Sequence, residues 1–485
     1  MTTSKDHLPP SLGELAATRR RFIASAAALP ATLGAAIGSA AQGSPDPSSA
    51  SPVATPVGSP VASPVASPVA SPVASPVAGS AEVGRQFLLA ADQDASTIYV
   101  YSIPDLELTG QLDGVSLDKH GGTLSLPDGR ILFADDKKGE AVAVIIDNDG
   151  VPSIAQRAGV NLGAGASWAS VDPEFRYYIV TSYFEETASQ VLNLIDLGSF
   201  TNTEIPLQTR EGEELTAWIG GEPASVYVSI GGQVDAYVLS DLVDGPMEPT
   251  SSVPVELGSH GAVIDTVNDR FVLSTAAGFE VVSIAGAAVA HDQLLPWDSD
   301  GFEGGQNYRP RLAWDGSHIL GVLTAAPDAP EAWADAEISS HITDLENDTV
   351  QRVSLGTGSV AGRWGLSEPY ALYAAYNGDG GNAMLFGVDE RQPEFGAIVA
   401  TIPLDLPTKA AVPGTSSEGT EGYQTAISPD GAIGFVVHGG DGLISVIDTA
   451  SQALTSQIDV PSAMTGSGYV TVVETGRAPV DLFGR

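Results

Sequence analysis

The chain has 485 residues, 21 of them basic and 60 acidic, for a formal net charge of −39 at pH 7. A field of that sign repels a phosphate backbone, which excludes nucleic acid as a partner, and it attracts cations and basic partners over a range set by salt. Cysteine is absent, so disulfides, thiolate metal sites, cysteine nucleophiles and lipid attachment through a cysteine are all excluded.

Residues 1–41 read as a twin-arginine export signal. Thr18-Arg19-Arg20-Arg21-Phe22-Ile23 carries the paired arginines followed by an aromatic and an aliphatic residue. An uncharged, Ala-rich stretch runs from Ala24 to Ala41, and Ser39-Ala40-Ala41 offers small side chains for cleavage after Ala41. Pro30, four Gly or Ser residues and a scarcity of large apolar side chains argue against a retained membrane anchor. The expected product is an extracytoplasmic protein, not integral to a membrane once the signal is removed, and monomeric.

Residues 42–80 are low in complexity, with Ser-Pro-Val-Ala repeating from Ser59 to Ala78. Proline at every fourth position forbids a helix and no aromatic side chain seeds a core, so an extended polyproline spacer is expected.

From residue 81 to 485 the chain reads as short strands separated by turn signals, with a period of forty to fifty residues. The clearest unit is Tyr423–Val460. A strand from Gln424, a Pro429-Asp430-Gly431 turn, a strand over Ala432–Val437, the loop His438–Gly442, a strand over Leu443–Ile447 and an outer strand over Leu454–Val460 follow in order. Thr123–Ile146 repeats this grammar, and further units begin near Ala166, Leu215, Ala262, Arg311 and Arg363. The first unit, Phe87–Leu112, holds only three strands, and Tyr469–Val473 is an isolated fourth. An all-β propeller is therefore expected. It has eight four-stranded blades and is closed by strands from both ends, with seven blades the alternative should Leu215–Glu256 be no true unit.

The last unit, with Pro429-Asp430-Gly431 and Val446-Ile447-Asp448-Thr449, resembles the YVTN-type repeat of WD40-like propellers. Leu194-Ile195-Asp196-Leu197 and Val144-Ile145-Ile146-Asp147 echo its second half. The resemblance implies the fold and no single activity. The export signal, the short units, Ser259-His260-Gly261-Ala262 and the closing Gly468-Tyr469-Val470-Thr471-Val472 also resemble periplasmic zinc metallochaperone propellers, without the His- and acid-rich capture loop of those proteins. That resemblance implies zinc binding.

In a propeller, loops leading into the innermost strands surround one mouth of the central channel, where ligands favour the concavity. His120, His260 and His438 fall on that face as candidate zinc ligands, or as ordinary turn residues. Arg309, Arg311 and Arg363 map to the same rim. Such a cluster grips carboxylates or phosphates by bidentate hydrogen bonds, or merely offsets acids between blades. Trp168 and Trp218 are rim candidates too, although tryptophans at matching places in several units suit packing between blades. Asp92-Gln93-Asp94, Asp147-Asn148-Asp149-Gly150 and Asn377-Gly378-Asp379 place oxygens at alternate positions, but no twelve-residue calcium loop is present and turn chemistry explains them better. Nor does any His-Glu-x-x-His, Gly-x-Ser-x-Gly or phosphate-binding Gly-rich motif occur. The expected function is a non-catalytic binder of a small molecule, metal ion or protein at the channel mouth. The alternatives are a zinc metallochaperone-like protein, and a lactonase-like hydrolase or oxidoreductase using the same face.

Overall fold

In a computed structural model the described residues belong to one unit, within Ser71–Arg485. The structure describes residue 79, residues 82–477 and residues 482–483, with gaps at 118–119, 164, 184–190, 208–214, 244–247, 257, 267, 276, 298–305, 326–328 and 418–419. The export signal and nearly all of the spacer lie outside the described residues. Among the described residues no helix is long and apolar enough to cross a membrane.

The described chain is a β-propeller of eight four-stranded antiparallel blades. In chain order from blade 2 the inner strands are Leu124–Ser125, Gly165–Val171, Thr216–Gly220, Gly258–Asp265 and Gln306–Leu312. Blade 7 has two short inner pieces, Ser359–Val360 and Gly365–Leu366, and blade 8 begins with Tyr423–Ile427. Blade 1 takes its inner strand from the far end of the chain. Tyr469–Glu474 pairs antiparallel with Gln86–Asp92, in register from Gln86↔Glu474 to Ala91↔Tyr469. Leu215–Glu256 forms a full blade, so the count is eight.

The apolar pattern explains the stacking. Second and third strands are buried along nearly their whole length, as in Ile131–Asp135 and Ile433–His438. Both faces of such a strand must therefore meet a neighbouring blade. Leu132, Ala141 and Ala143 of blade 2 accordingly share a cluster with Ala169, Tyr178 and Val180 of blade 3. Outer strands alternate buried and exposed residues, as in Pro152–Gly159, and finish the rim against water.

A second device ties neighbouring blades. In the hairpin after the inner strand of blade 2, the Asp128 carboxylate accepts the Arg130 backbone N–H at 3.0 Å and its Nε–H at 2.8 Å. The same guanidinium donates to the Leu197 carbonyl of blade 3 at 2.9 Å. Blade 5 repeats the arrangement. Arg270 pairs with Asp265 at 3.2 Å and donates to the Leu345 carbonyl of blade 6 at 2.6 Å. Both pairs are almost wholly buried, so removing one partner strands a desolvated charge. Replacing Arg130 by Met is expected to lower the unfolding free energy by about 3 kcal/mol. Urea denaturation checks this, and an unchanged midpoint would show that the staple contributes nothing.

Candidate functional site

The inner strands run from an entrance face, where their first residues lie, to an exit face. At the entrance end their regularity fails repeatedly. The pairing register shifts between Ala166 and Ala169 in blade 3, between Gly258 and Ala262 in blade 5, and between Tyr308 and Arg311 in blade 6. Bulges of this kind break the two-residue alternation and re-aim side chains. The residues placed at them are Trp168, His260 with Gly261, and Arg309 with Pro310. Arg309 has φ of 53°, in the left-handed region that non-glycine residues rarely occupy. In blade 7 the inner strand is interrupted outright, and the interruption carries Arg363 and Trp364.

These irregular segments meet. The Arg309 guanidinium lies 5.3 Å from the centre of the Trp168 ring and reaches the His120 carbonyl at 3.4 Å. Gly261, with φ of 104°, packs under the same indole: a Cβ there would sit 3.0 Å from Trp168 and 3.2 Å from Pro310. His120 and the backbone of His260 are thus brought to one place, beside Arg309. The His260 side chain lies outside the described residues.

A cavity of about 150 Å³ opens in the channel. Thr123, Arg309, Arg311, Arg363 and Trp364 line it towards the entrance, with Val470–Glu474 of the closing strand along its wall. Trp314, Arg477 and Phe483 line it towards the exit. Arg311 lies 5.4 Å from the Trp364 ring centre and donates to the Trp364 carbonyl at 2.9 Å. Burial, with the nearby Arg363 charge adding to it, lowers its pKa to about 10. Arg363 is 7% exposed and lies 5.0 Å from the centre of the Tyr469 ring, whose hydroxyl sits 3.1 Å from the Thr123 hydroxyl. Backbone contacts fix the Arg363 segment, because its N–H donates to Gln424 Oε1 at 2.9 Å and its carbonyl accepts from Thr425 at 3.1 Å.

Two candidates occupy other places. His438 is the last residue of a blade 8 strand and is buried, with Nε2 2.8 Å from the Ser445 hydroxyl and its ring edge-to-face with Tyr423. Burial holds its imidazole below the ordinary histidine range, against the opposing pull of Asp441 and Asp405. Trp218 lies within an inner strand, 3% exposed and stacked on Tyr227. The aspartate-rich segments form turns: Asp147 accepts the N–H groups of Asp149 and Val151, and Asp92 those of Ala95 and Met464. Among the described residues no three His, Cys, Asp or Glu side chains are grouped to hold a metal ion.

The C-terminal tail supplies what sequence reasoning missed. Phe483 bridges to Ser170, and the Val171 N–H donates to the Leu482 carbonyl at 2.9 Å. The Phe483 ring is 1% exposed, packed among Trp218, Ala262, Ile264 and Phe271. Arg477 pairs with Glu474 at 3.0 Å and lies 4.2 Å from the centre of the Trp314 ring. The one available signal was the apolar pair Leu482-Phe483 in a short tail outside the repeat pattern, which is weak. Truncating Phe483 to Ala is expected to cost about 3 kcal/mol of stability with the blades intact. Thermal unfolding followed by circular dichroism measures it, and wild-type stability would mean that the ring does not pack.

No protein-family model matches the chain, and no curated protein matches it in sequence. Solved structures do share its architecture. AztD from Citrobacter koseri gives a TM-score of 0.58 at 14% identity, covering 82% of this chain and 100% of its own. Its apo form gives 0.56. The dihydro-heme d1 dehydrogenase NirN, in complex with DHE, gives 0.54 at 16% identity, covering 83% of this chain and 77% of its own. At these identities the likeness is one of fold.

Proposed function

We propose that this protein is exported by the twin-arginine route and, outside the cytoplasm, binds a small molecule in the channel without transforming it. The observation that carries this is the cavity of about 150 Å³ that inner strands of five blades and the C-terminal tail enclose. Concave, largely preformed spaces with a few convergent polar groups are the usual form of a small-ligand site. The polar groups of the lining are chiefly donors: four guanidiniums and threonine hydroxyls, with Glu474 engaged by Arg477. Donors hold a ligand, whereas turnover requires a base or nucleophile placed against it. The Ser-Pro-Val-Ala stretch would hold the propeller off a surface as a spacer.

A thermal-shift screen of small metabolites against residues 81–485 tests the proposal. At least one compound should raise the melting temperature, and Thr471→Trp, which puts an indole into the cavity, should abolish that rise. Failure of every compound, or a rise indifferent to Thr471→Trp, removes the channel as the site.

One observation favours a second function, zinc binding at the entrance. His120 and the His260 backbone meet beside Trp168, and the chain resembles zinc metallochaperone propellers. The positive charge of Arg309 at that spot opposes it. Zinc titration of wild type and the His120→Ala/His260→Ala double variant decides: equal uptake by both excludes these ligands.

A further inference from the structure

We infer that Arg477 and Phe483 are the floor of the channel site. They shut its exit end, limit the length of ligand it holds and leave the entrance face as the way in. This rests on the ligand-binding proposal above and names what sets the size of the molecule.

The first ground is where these residues make contact. Radial repetition leaves a central channel, and only a segment outside the repeats can stop one end of it. The closing strand delivers the chain to the exit end of blade 1 at Glu474. Arg477 then reaches Trp314, two residues beyond the inner strand of blade 6, at 4.2 Å from the ring centre. Leu482 and Phe483 meet Val171 and Ser170, the last two residues of the inner strand of blade 3. The Phe483 ring joins Trp218 of blade 4 with Ala262 and Ile264 of blade 5. In a ring of eight, blade 5 stands opposite blade 1, so these contacts lie on both sides of the axis.

The second ground is how the contacts are made. A phenyl ring at an open mouth would be wetted, yet Phe483 is 1% exposed. Its direction is fixed by backbone pairing, because the Val171 N–H donates to the Leu482 carbonyl at 2.9 Å and the bridge is antiparallel. The tail thus adds to the inner edge of blade 3 as a further strand would. Arg477 is held between the Trp314 ring and Glu474, whose carboxylate accepts from it at 3.0 Å. A ring face on one side and a carboxylate on the other fix the guanidinium in place. Its side chain is 38% exposed, so it meets solvent while also lining the cavity.

The third ground is volume. Arg477, Phe483 and Trp314 belong to the lining of a cavity of about 150 Å³. Space of that order takes about one six-membered ring. Phe483 is itself a ring of that size, so its withdrawal would enlarge the site by a comparable amount. The blades need not move for this, because the ring comes from outside them.

Thiol labelling of the full chain tests the inference. The sequence has no cysteine, so one engineered thiol reports access without background. Val472→Cys places it in the cavity wall towards the exit, and Thr123→Cys towards the entrance. The probe is N-ethylmaleimide, and the readout is the labelling rate by mass spectrometry. Adding Phe483→Ala or, separately, Arg477→Ala should speed labelling at Val472→Cys by about tenfold or more, and at Thr123→Cys by less than about twofold. Arg477→Ala removes a partly exposed side chain, so it keeps the test valid where Phe483→Ala loosens the ring. A Val472→Cys rate unmoved by Arg477→Ala would overturn the inference, and so would an equal rise at both positions. This test needs no ligand, so failure of the thermal-shift screen would remove the channel site without deciding whether its end is shut. Given a ligand from that screen, Phe483→Ala should also accept homologues longer by one ring that the wild type rejects. Equal affinity of both proteins for those homologues would overturn the limit on length.

Discussion

Everything in this molecule depends on the six residue pairs where Gln86–Ala91 meets Tyr469–Glu474. That ladder turns a row of blades into a ring, and the ring is what gives the sheets a common axis. It also builds the cavity directly. Tyr469 supplies the ring under Arg363, and Val470–Glu474 form one wall. A row of blades held only by neighbour packing would keep its hydrophobic clusters but have no channel, since Arg363 and Tyr469 are more than a hundred residues apart in sequence.

A strongly acidic chain has few cations, and their distribution is informative. At the exit hairpins of blades 2 and 5 the guanidinium is bound to an aspartate and clipped to the next blade. In the channel each of four guanidiniums lies beside an aromatic ring. The first use joins neighbouring blades; in the second a ring face fixes the plane of the guanidinium. Sequence position alone does not separate these uses, because both kinds of arginine lie close to the ends of inner strands.

The period, the Pro-Asp-Gly turns and the odd strand count at the two ends were enough to predict a closed eight-bladed ring, and the weak unit Leu215–Glu256 proved to be a full blade. The same signals carried less information about the site. His438 reads as the start of a Gly-rich loop, but it ends a strand instead, and one residue of difference turns its ring into the blade. Trp218 lies inside its inner strand and packs against blade 5, the inter-blade role that tryptophans at matching places in several units suggest. Arg309 and Trp168 sit at bulges, where alternation stops predicting direction. Pro310, which lacks an N–H for the ladder, was the one visible hint of this in blade 6. The partners that complete the cavity, Arg477 and Phe483, belong to a tail with no repeat pattern at all.

That tail gives an eightfold scaffold a one-sided interior. Phe483 occupies the ground in front of blades 3 to 5, against Ser170, Trp218 and Ala262, and the open volume is left to blades 6, 7, 8, 1 and 2. On the proposed reading, recognition falls chiefly to the five repeats that line the cavity, and blades 3 to 5 also supply the slot for one phenyl ring. A change of ligand could be written into the former group without rebuilding the latter. The single residue dividing them is the lever by which the chamber's size could be altered while every blade stays as it is.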